Sequence, residues 1–515
     1  MSDLHGIAAG HQLTATAGAE VLADGGTAVD AAIAALLTAC VCEPVLASPA
    51  GGGFAMVWDG GKPICLDFFV QTPRRANGQR HDGLHQADAD FGGVKQTFHI
   101  GPGSVATPGF LPGLFALHER LGRLPMRRLA EFAIGRAKDG VPLTPYQAQL
   151  SQIVGPILTA TAPSRTLFCK DDHLLGSGDL LTNADLADAL DALSREGLRL
   201  AVKGEIAQAI LEATSGGHLT GDDLARYEPC WREPLIRTMP IAGSSIKQQN
   251  SDGRSAARQT RTIFTNPAPS AGGGLIAAAL AAYHPKETYD PLAFAEALNR
   301  VDRRWRDLGK PVGFDDTMLD ESVRTDRPAQ IASNGTTHVS VIDKTGMAVA
   351  VTVSNGAGNG TIVPGCGFML NNMLGEDDLL TDGPGSWQPD QRLSSMMAPA
   401  LVADDKGGLL ALGTGGSNRI RSAMAQVLLR WGVHGEPLLE AVCAPRLHVE
   451  EGHLDAEPGM DPDMFQRAFE DHLIWAAPSM FFGGTHGVER RVNANGQVSL
   501  EGAGDARRDG VFLAV

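Results

Sequence analysis

Thr336-Thr337-His338 follows Asn334-Gly335 at the head of a β-prone run, and these residue types in this order could supply a nucleophile. A glycine before a hydroxyl residue leaves its own carbonyl sterically open. Thr336 Oγ1 could therefore attack the Gly335 carbonyl, form an ester and lose the upstream segment to water. The new chain would begin at Thr336. Its α-amine, with a reference pKa of about 7.7 to 8.0, is a suitable base for the hydroxyl of the same residue. A turn followed by a β-branched strand start explains the same local pattern, so the chemistry needs support from elsewhere in the chain. His338 is expected to be a strand residue that does not act as base.

The elements around Thr336 supply some of that support. Residues 338–343 and 347–354 are two β-prone runs joined by Lys344-Thr345-Gly346, which suits a three-residue hairpin loop with glycine in the left-handed position. If Asp343 faces Met347, then Thr336 lies opposite Ser354 and Thr337 opposite Val353. One face of the hairpin carries Val339, Val341, Val349, Val351 and Val353; the other carries Thr336, His338, Ser340, Ala350, Thr352 and Ser354. The second face reads as a site. Further on, Gly413-Thr414-Gly415-Gly416-Ser417 stands between a strand at 409–412 and a helix running from Arg419 toward Trp431. Exposed amides at such a junction can stabilise an anion or a developing oxyanion.

Elsewhere the chain has ordinary globular composition, with room for a large core. Its 515 residues are 43% hydrophobic and 20% charged, with a net charge of −16 that opposes nucleic-acid binding and gives no pull toward an anionic membrane. No secretion signal is visible, and the most apolar window, 31–45, is short for a bilayer span. Seven scattered cysteines, with no CxxC pair, read as buried thiols in a reducing, cytoplasmic setting. Helices are expected at 14–23, at 27–40 with Thr27 as cap, and at 114–121, 126–138, 183–194 and 203–212. Strands are expected at 54–58, 63–69 and 262–265. The polar stretch 242–261 reads as a solvated loop, and 267–274 as a turn-rich loop leading into a helix at 275–283. Gly272-Gly273-Gly274 lacks the GKS or GKT ending of a phosphate loop, so helix entry explains it better.

Several longer segments, in order, resemble the γ-glutamyltranspeptidase family of N-terminal nucleophile hydrolases. They are Gly25-Gly26-Thr27-Ala28-Val29-Asp30-Ala31-Ala32, Gly51-Gly52-Gly53-Phe54, Thr107-Pro108-Gly109, the run 220–227, Pro267-Ala268-Pro269-Ser270-Ala271-Gly272-Gly273, the run 336–343, Asn371-Asn372, Leu393-Ser394-Ser395-Met396 and Gly415-Gly416-Ser417. The likeness covers nearly the whole chain. It implies an α+β fold, a four-layer αββα sandwich of the N-terminal nucleophile hydrolase type. It implies cleavage between Gly335 and Thr336 into segments 1–335 and 336–515 that stay intertwined as one domain. Thr336 would then attack γ-glutamyl amides such as glutathione. By the same resemblance Ser354 supports the nucleophile, Gly415 and Gly416 form the oxyanion hole, Ser394 and Ser395 hold the donor's α-carboxylate, and Asn355 contacts its amino group.

Two departures bear on the substrate. The family has an arginine two residues after the Asp of an Asp-Phe pair, where it clamps the donor carboxylate; here Asp67-Phe68 is followed by Phe69, with Arg74 and Arg75 nearby. After Asn371-Asn372 the acidic group arrives later than in the family, as Glu376-Asp377-Asp378, so that either Glu376 or Asp377 could grip the donor amine. The expected activity is acyl transfer from a γ-glutamyl-like small molecule to water or an amine, with no cofactor, no metal, no nucleic acid and no membrane partner. The two fragments of the chain would be each other's partners, and homo-oligomerisation stays open. Two alternatives also stay open: an acylase acting on a glutaryl or cephalosporin-type amide, and an uncleaved, inactive binding relative.

Overall fold

The structure is a computed structural model, which describes residues 4–75, 83–90, 95–241, 260–311, 313–319, 335–376 and 386–515. Thr27 and Asp30 form the reciprocal cap that the sequence suggests: Thr27 N donates to Asp30 Oδ2 at 2.9 Å and Asp30 N to Thr27 Oγ1 at 3.1 Å. They start α2 (Ala28–Cys42), which is buried along its whole length and packs on α1 (Gln12–Ala23). Glu43 caps the end of α2 and will matter below.

Two antiparallel sheets dominate. The first contains β1 (Gly6–Ala9), β2 (Gly52–Trp58), β3 (Ile64–Phe68), β4 (Cys230–Arg232), β7 (Gly335–Ile342), β8 (Ala348–Gly356) and β13 (Val511–Ala514), in the order β4-β3-β2-β8-β7-β1-β13. The second contains β5 (Leu235–Pro240), β6 (Thr260–Thr265), β9 (Ala400–Asp404), β10 (Leu409–Gly415), β11 (Gly484–Val492) and β12 (Val498–Ala503), paired in that order. The hairpin read from the sequence forms the middle of the first sheet, with Gly346 left-handed at φ 88° in its loop. Its valine face, fully buried, packs on α2 and shares a core with residues of α1. Its other face meets the second sheet, where Ile342, Ala348 and Ala350 pack with Leu401, Ala411 and Val488. On the far side of the second sheet lie α3 (Gly272–Ala282) and α4 (Arg419–Val427). Each sheet takes strands from both sides of residue 335.

The expected helical stretch is present as Phe110–Leu121, Met126–Asp139, Ala184–Glu196 and Glu205–Ala213. One boundary differs in kind. The helix expected from 275 already begins at Gly272, so the three glycines are its first turn and not a loop. A Cβ on Gly272, Gly273 or Gly274 would lie 2.1 Å from Met396 O, 2.3 Å from Asn266 O or 1.8 Å from Phe314 O. Close backbone approach puts poor helix formers there. Of the loop expected at 242–261, residues 242–259 lie outside the described residues, while Thr260 and Arg261 belong to β6. All seven cysteines are free, four of them buried. Among the described residues no helix is long and apolar enough to cross a membrane.

Candidate active site

Thr336 lies directly opposite Ser354, as the hairpin loop predicts, and is almost wholly buried. The register then breaks. Gly335 faces Gly356, which leaves Asn355 as the extra residue of a β-bulge beside the Gly335–Thr336 peptide. Ser354 Oγ donates to Gly335 O at 2.6 Å and accepts from Gly356 N at 3.1 Å. The hydroxyl thus holds the carbonyl that Thr336 Oγ1 would attack.

The glycine turn after β10 reaches the same point from the second sheet. A Cβ on Gly415 would lie 2.1 Å from Thr336 O, so only glycine lets the two backbones meet there. Gly416 has φ 135°, a left-handed backbone that suits glycine. Beside them stands Arg508: Nη1 is 3.1 Å from the position of a Gly415 Cβ, and the guanidinium donates to Met480 O. Deeper between the sheets His338 bridges Thr352 Oγ1 and Ser340 Oγ at 2.8 Å each. Burial, with the neighbouring His486, holds its pKa well below the ordinary histidine value. It is a neutral core residue, in line with the role expected of it.

Beyond the bulge, Ala357 N donates to Asn372 Oδ1 at 2.9 Å and to Glu376 Oε1 at 3.2 Å. Gly356 is left-handed at φ 65°, and a Cβ there would lie 2.2 Å from that Asn372 oxygen and 2.5 Å from Glu376 Oε1. Among the described residues, Asn355 Oδ1 and Asn372 Nδ2 are buried without a hydrogen-bond partner, one acceptor and one donor at this end of the hairpin. Glu376 is therefore built into the bulge; Asp377 lies outside the described residues. Asn371, by contrast, is a structural bolt: its side chain bonds Ala50 O, Ala106 O and the Ala106 and Met373 amides.

The two serines are reached across the sheet. Ser354 pairs with Gly52, a Cβ on Gly52 would lie 3.0 Å from Phe69 Cα, and Leu393 N bonds Val70 O at 3.2 Å. Ser394 and Ser395 thus sit at the same end of the first sheet as Thr336. Ser395 Oγ accepts from Met397 N, two residues on, while Ser395 O accepts the Ala271 and Gly272 amides at the start of α3.

Phe69 is 1% exposed and stacks on Phe54 with centroids 5.6 Å apart. A core ring, not an open pocket wall, occupies that position. Arg74 is tied to Asp390 at 2.8 Å and to Arg226 O. The cation next to Phe69 is Arg392, which the sequence reading missed although it directly precedes Leu393-Ser394-Ser395. Its guanidinium bonds Phe69 O, Tyr227 Oη and Glu228 O and lies 4.5 Å above the Tyr227 ring.

The chain is similar to known proteins along nearly its whole length. The sequence profile described as Gamma-glutamyltranspeptidase matches residues 14–303 and 306–515. The glutathione hydrolase proenzyme of Pseudomonas aeruginosa is 27% identical over 86% of this chain and 82% of its own length. The acylase ACY 1 proenzyme of a Pseudomonas species is 27% identical over 98% of this chain and 92% of its own. The crystal structure of cephalosporin acylase from Bacillus halodurans has the same fold, with a TM-score of 0.77 at 22% identity over 99% of this chain and 96% of that one.

Proposed function

The chain belongs to the γ-glutamyltranspeptidase family, and from that premise we propose that it is a self-processing amidohydrolase whose nucleophile is Thr336. The observation that carries this is the environment of one peptide bond. The Gly335 carbonyl accepts the Ser354 hydroxyl at 2.6 Å, and the Gly415 backbone abuts the Thr336 carbonyl next to it. Thr336 Oγ1 adds to the Gly335 carbonyl carbon, the C–N bond breaks as the Thr336 amine takes a proton, and the resulting ester is hydrolysed by water to the Gly335 carboxylate and a free hydroxyl. Segments 1–335 and 336–515 remain interleaved, because each sheet draws strands from both. The packing of α1 and α2, the two sheets, and α3 and α4 supports a four-layer αββα sandwich. That the similar Pseudomonas proteins are named proenzymes favours the same maturation here.

In the mature enzyme the Thr336 α-amine activates its own hydroxyl, and Ser354, released from Gly335, steadies it. Attack on a donor amide gives an acyl ester on Thr336. The amides of the Gly415–Gly416 turn stabilise the oxyanion, and the amine product leaves with the proton carried by the α-amine. Water or a second amine then takes the acyl group. Asn355, whose buried Oδ1 has no partner among the described residues, and Glu376 with Asp377 would meet the donor's amino group, while Ser394 and Ser395 would meet a distal carboxylate. No step in this scheme calls on a metal or organic cofactor.

A γ-glutamyl amide is the first donor class. A second reading, an acylase on a glutaryl or cephalosporin-type amide, is favoured by one observation: no arginine extends from position 69, whose phenyl ring is packed on Phe54. Initial rates with γ-glutamyl, glutaryl and simple acyl anilides, with Thr336→Ala as blank, test both. Turnover of γ-glutamyl anilide supports the first, preference for glutaryl anilide the second, and turnover of none by a cleaved protein contradicts both.

A further inference from the structure

Glu43 is completely buried, and the mechanism above does not use it. Both of its carboxyl oxygens accept hydroxyls at 2.7 Å, Oε1 from Thr14 on α1 and Oε2 from Thr337, the residue after the nucleophile. There is no slack around it. A Cβ on Gly10 would lie 3.0 Å from both Glu43 Oε2 and Thr337 Oγ1 and 3.4 Å from His486 Nε2. The main chain of the same turn reaches the other neighbour of Thr336: Glu43 O accepts the Leu46 and Ala47 amides, and a Cβ on Gly335 would lie 2.3 Å from Val45 O.

This grip falls where β7 is paired on one side only. The β1 ladder ends at Ala9 opposite Val339, so residues 336–338 are paired only with β8, and the bulge breaks that pairing just before Thr336. Side chains alternate along a strand, so a fixed Thr337 hydroxyl on the helix side fixes how β7 is rolled and where Thr336 points between the sheets. We propose that Glu43 is a positioning residue for cleavage of the Gly335–Thr336 peptide, acting through the Thr337 hydroxyl. The inference rests on the self-processing reading.

An ionised carboxylate only accepts, so both hydroxyls must turn toward it; a protonated one donates a bond itself and lets one hydroxyl turn away. Burial raises Glu43 against the pull of its two hydroxyl partners, to about 7. Other titratable groups face it. The Cys40 and Cys42 thiols and the Tyr146 phenol are raised by burial, His11 is lowered by burial, and His486 is lowered to about 4. Asp509 adds negative charge. Before cleavage Thr336 has no free α-amine, so a rate that climbs through neutrality in this first step does not come from that amine, and its loss in Glu43→Gln would assign it to Glu43.

The test is a pulse-chase of the full-length chain made in a cell-free system and diluted into buffers from pH 6 to 8, with the uncleaved band followed on a gel. Wild-type cleavage should quicken about 10-fold over that interval, the change in ionised fraction across two pH units centred on 7. Glu43→Gln should be slow and flat. Thr337→Val should match it, Thr337→Ser should restore the rise, and the double variant Glu43→Gln with Thr337→Val should be no slower than either single one. If Glu43→Gln does not fold, the two Thr337 variants decide. Wild-type cleavage that does not change with pH overturns the proposal, as does a rise retained in Glu43→Gln alongside a lowered melting temperature. A wild-type chain that never cleaves overturns the self-processing reading itself.

Discussion

Ser354 Oγ and the carbonyl oxygen of Gly335 are joined by a 2.6 Å hydrogen bond in which the serine donates. That bond polarises the carbonyl next to Thr336 before cleavage. After the proposed cleavage, with Gly335 carrying a free carboxylate, the same hydroxyl would be free to serve the new N-terminus. In that scheme one side chain would support two successive acyl transfers.

Ser354→Ala should therefore slow both steps, each by about 10- to 150-fold, the equivalent of about 1.5 to 3 kcal/mol for a hydrogen bond to developing charge. Folding should survive the loss of the one buried bond from the Gly356 amide, which costs about 1 to 3 kcal/mol. Cleavage half-time and anilide turnover measure the two effects separately. Unchanged rates in both would remove Ser354 from the mechanism.

Gly415→Ala meets a different obstacle. Its methyl group would lie 2.1 Å from Thr336 O and 2.9 Å from Thr336 C, backbone atoms of the nucleophile itself. The strand must move to relieve this, and a displacement of about 1 Å at a reacting group can cost roughly 100-fold in rate. We expect a folded chain, by circular dichroism, that stays largely uncleaved.

Phe69→Arg should not create a carboxylate clamp. The ring is buried against Phe54, and the main-chain oxygen of Phe69 already accepts the Tyr227 hydroxyl at 2.6 Å. Replacing it loses core packing worth about 3 to 5 kcal/mol and buries a charge. A lowered melting temperature with no gain in affinity for a γ-glutamyl donor is the expected result; tighter donor binding in a stable variant would show that the ring yields to the pocket.

Behind the glycine turn, Glu450 accepts from Asn418 Nδ2 at 3.0 Å and pairs with Arg306 at 3.2 Å and Arg421 at 3.4 Å. Burial pushes its pKa up, but His448 and the two arginines outweigh that and bring it down to about 2. A depressed carboxyl stabilises the fold above its ordinary pKa near 4.5, and the contribution fades as pH falls toward 2. Glu450→Gln, in a Thr336→Ala background to keep one chain, should lower the urea midpoint strongly at pH 7, consistent with about 3 to 5 kcal/mol for breaking a buried pair. The gap should narrow as pH drops below 4.5; a gap that is constant with pH would contradict this account.

Much of the site was legible because it is local. The Lys344-Thr345-Gly346 loop set the hairpin register, and register alone put Ser354 opposite Thr336. The Thr27–Asp30 cap and the alternating valines were equally readable. What stayed hidden depends on contacts between distant segments. Gly272–Gly274 looked like a loop because the carbonyls of Met396, Asn266 and Phe314 that require glycine lie far along the chain. Arg392 gave no signal except its place before Leu393, and Phe69 could not be known to point into the core. Glu43, inside the apolar window 31–45, gave no signal of a role; only the fold brings its carboxylate 2.7 Å from the Thr337 hydroxyl.

The most direct test of the central claim is the intact mass of the purified wild-type protein, read together with its N-terminal sequences. The account predicts two fragments, corresponding to residues 1–335 and 336–515, the second beginning Thr336-Thr337-His338, and a single uncleaved species for Thr336→Ala. A wild-type protein that stays one chain under folding conditions, or that is cut so that the new N-terminus is any residue other than Thr336, would contradict it.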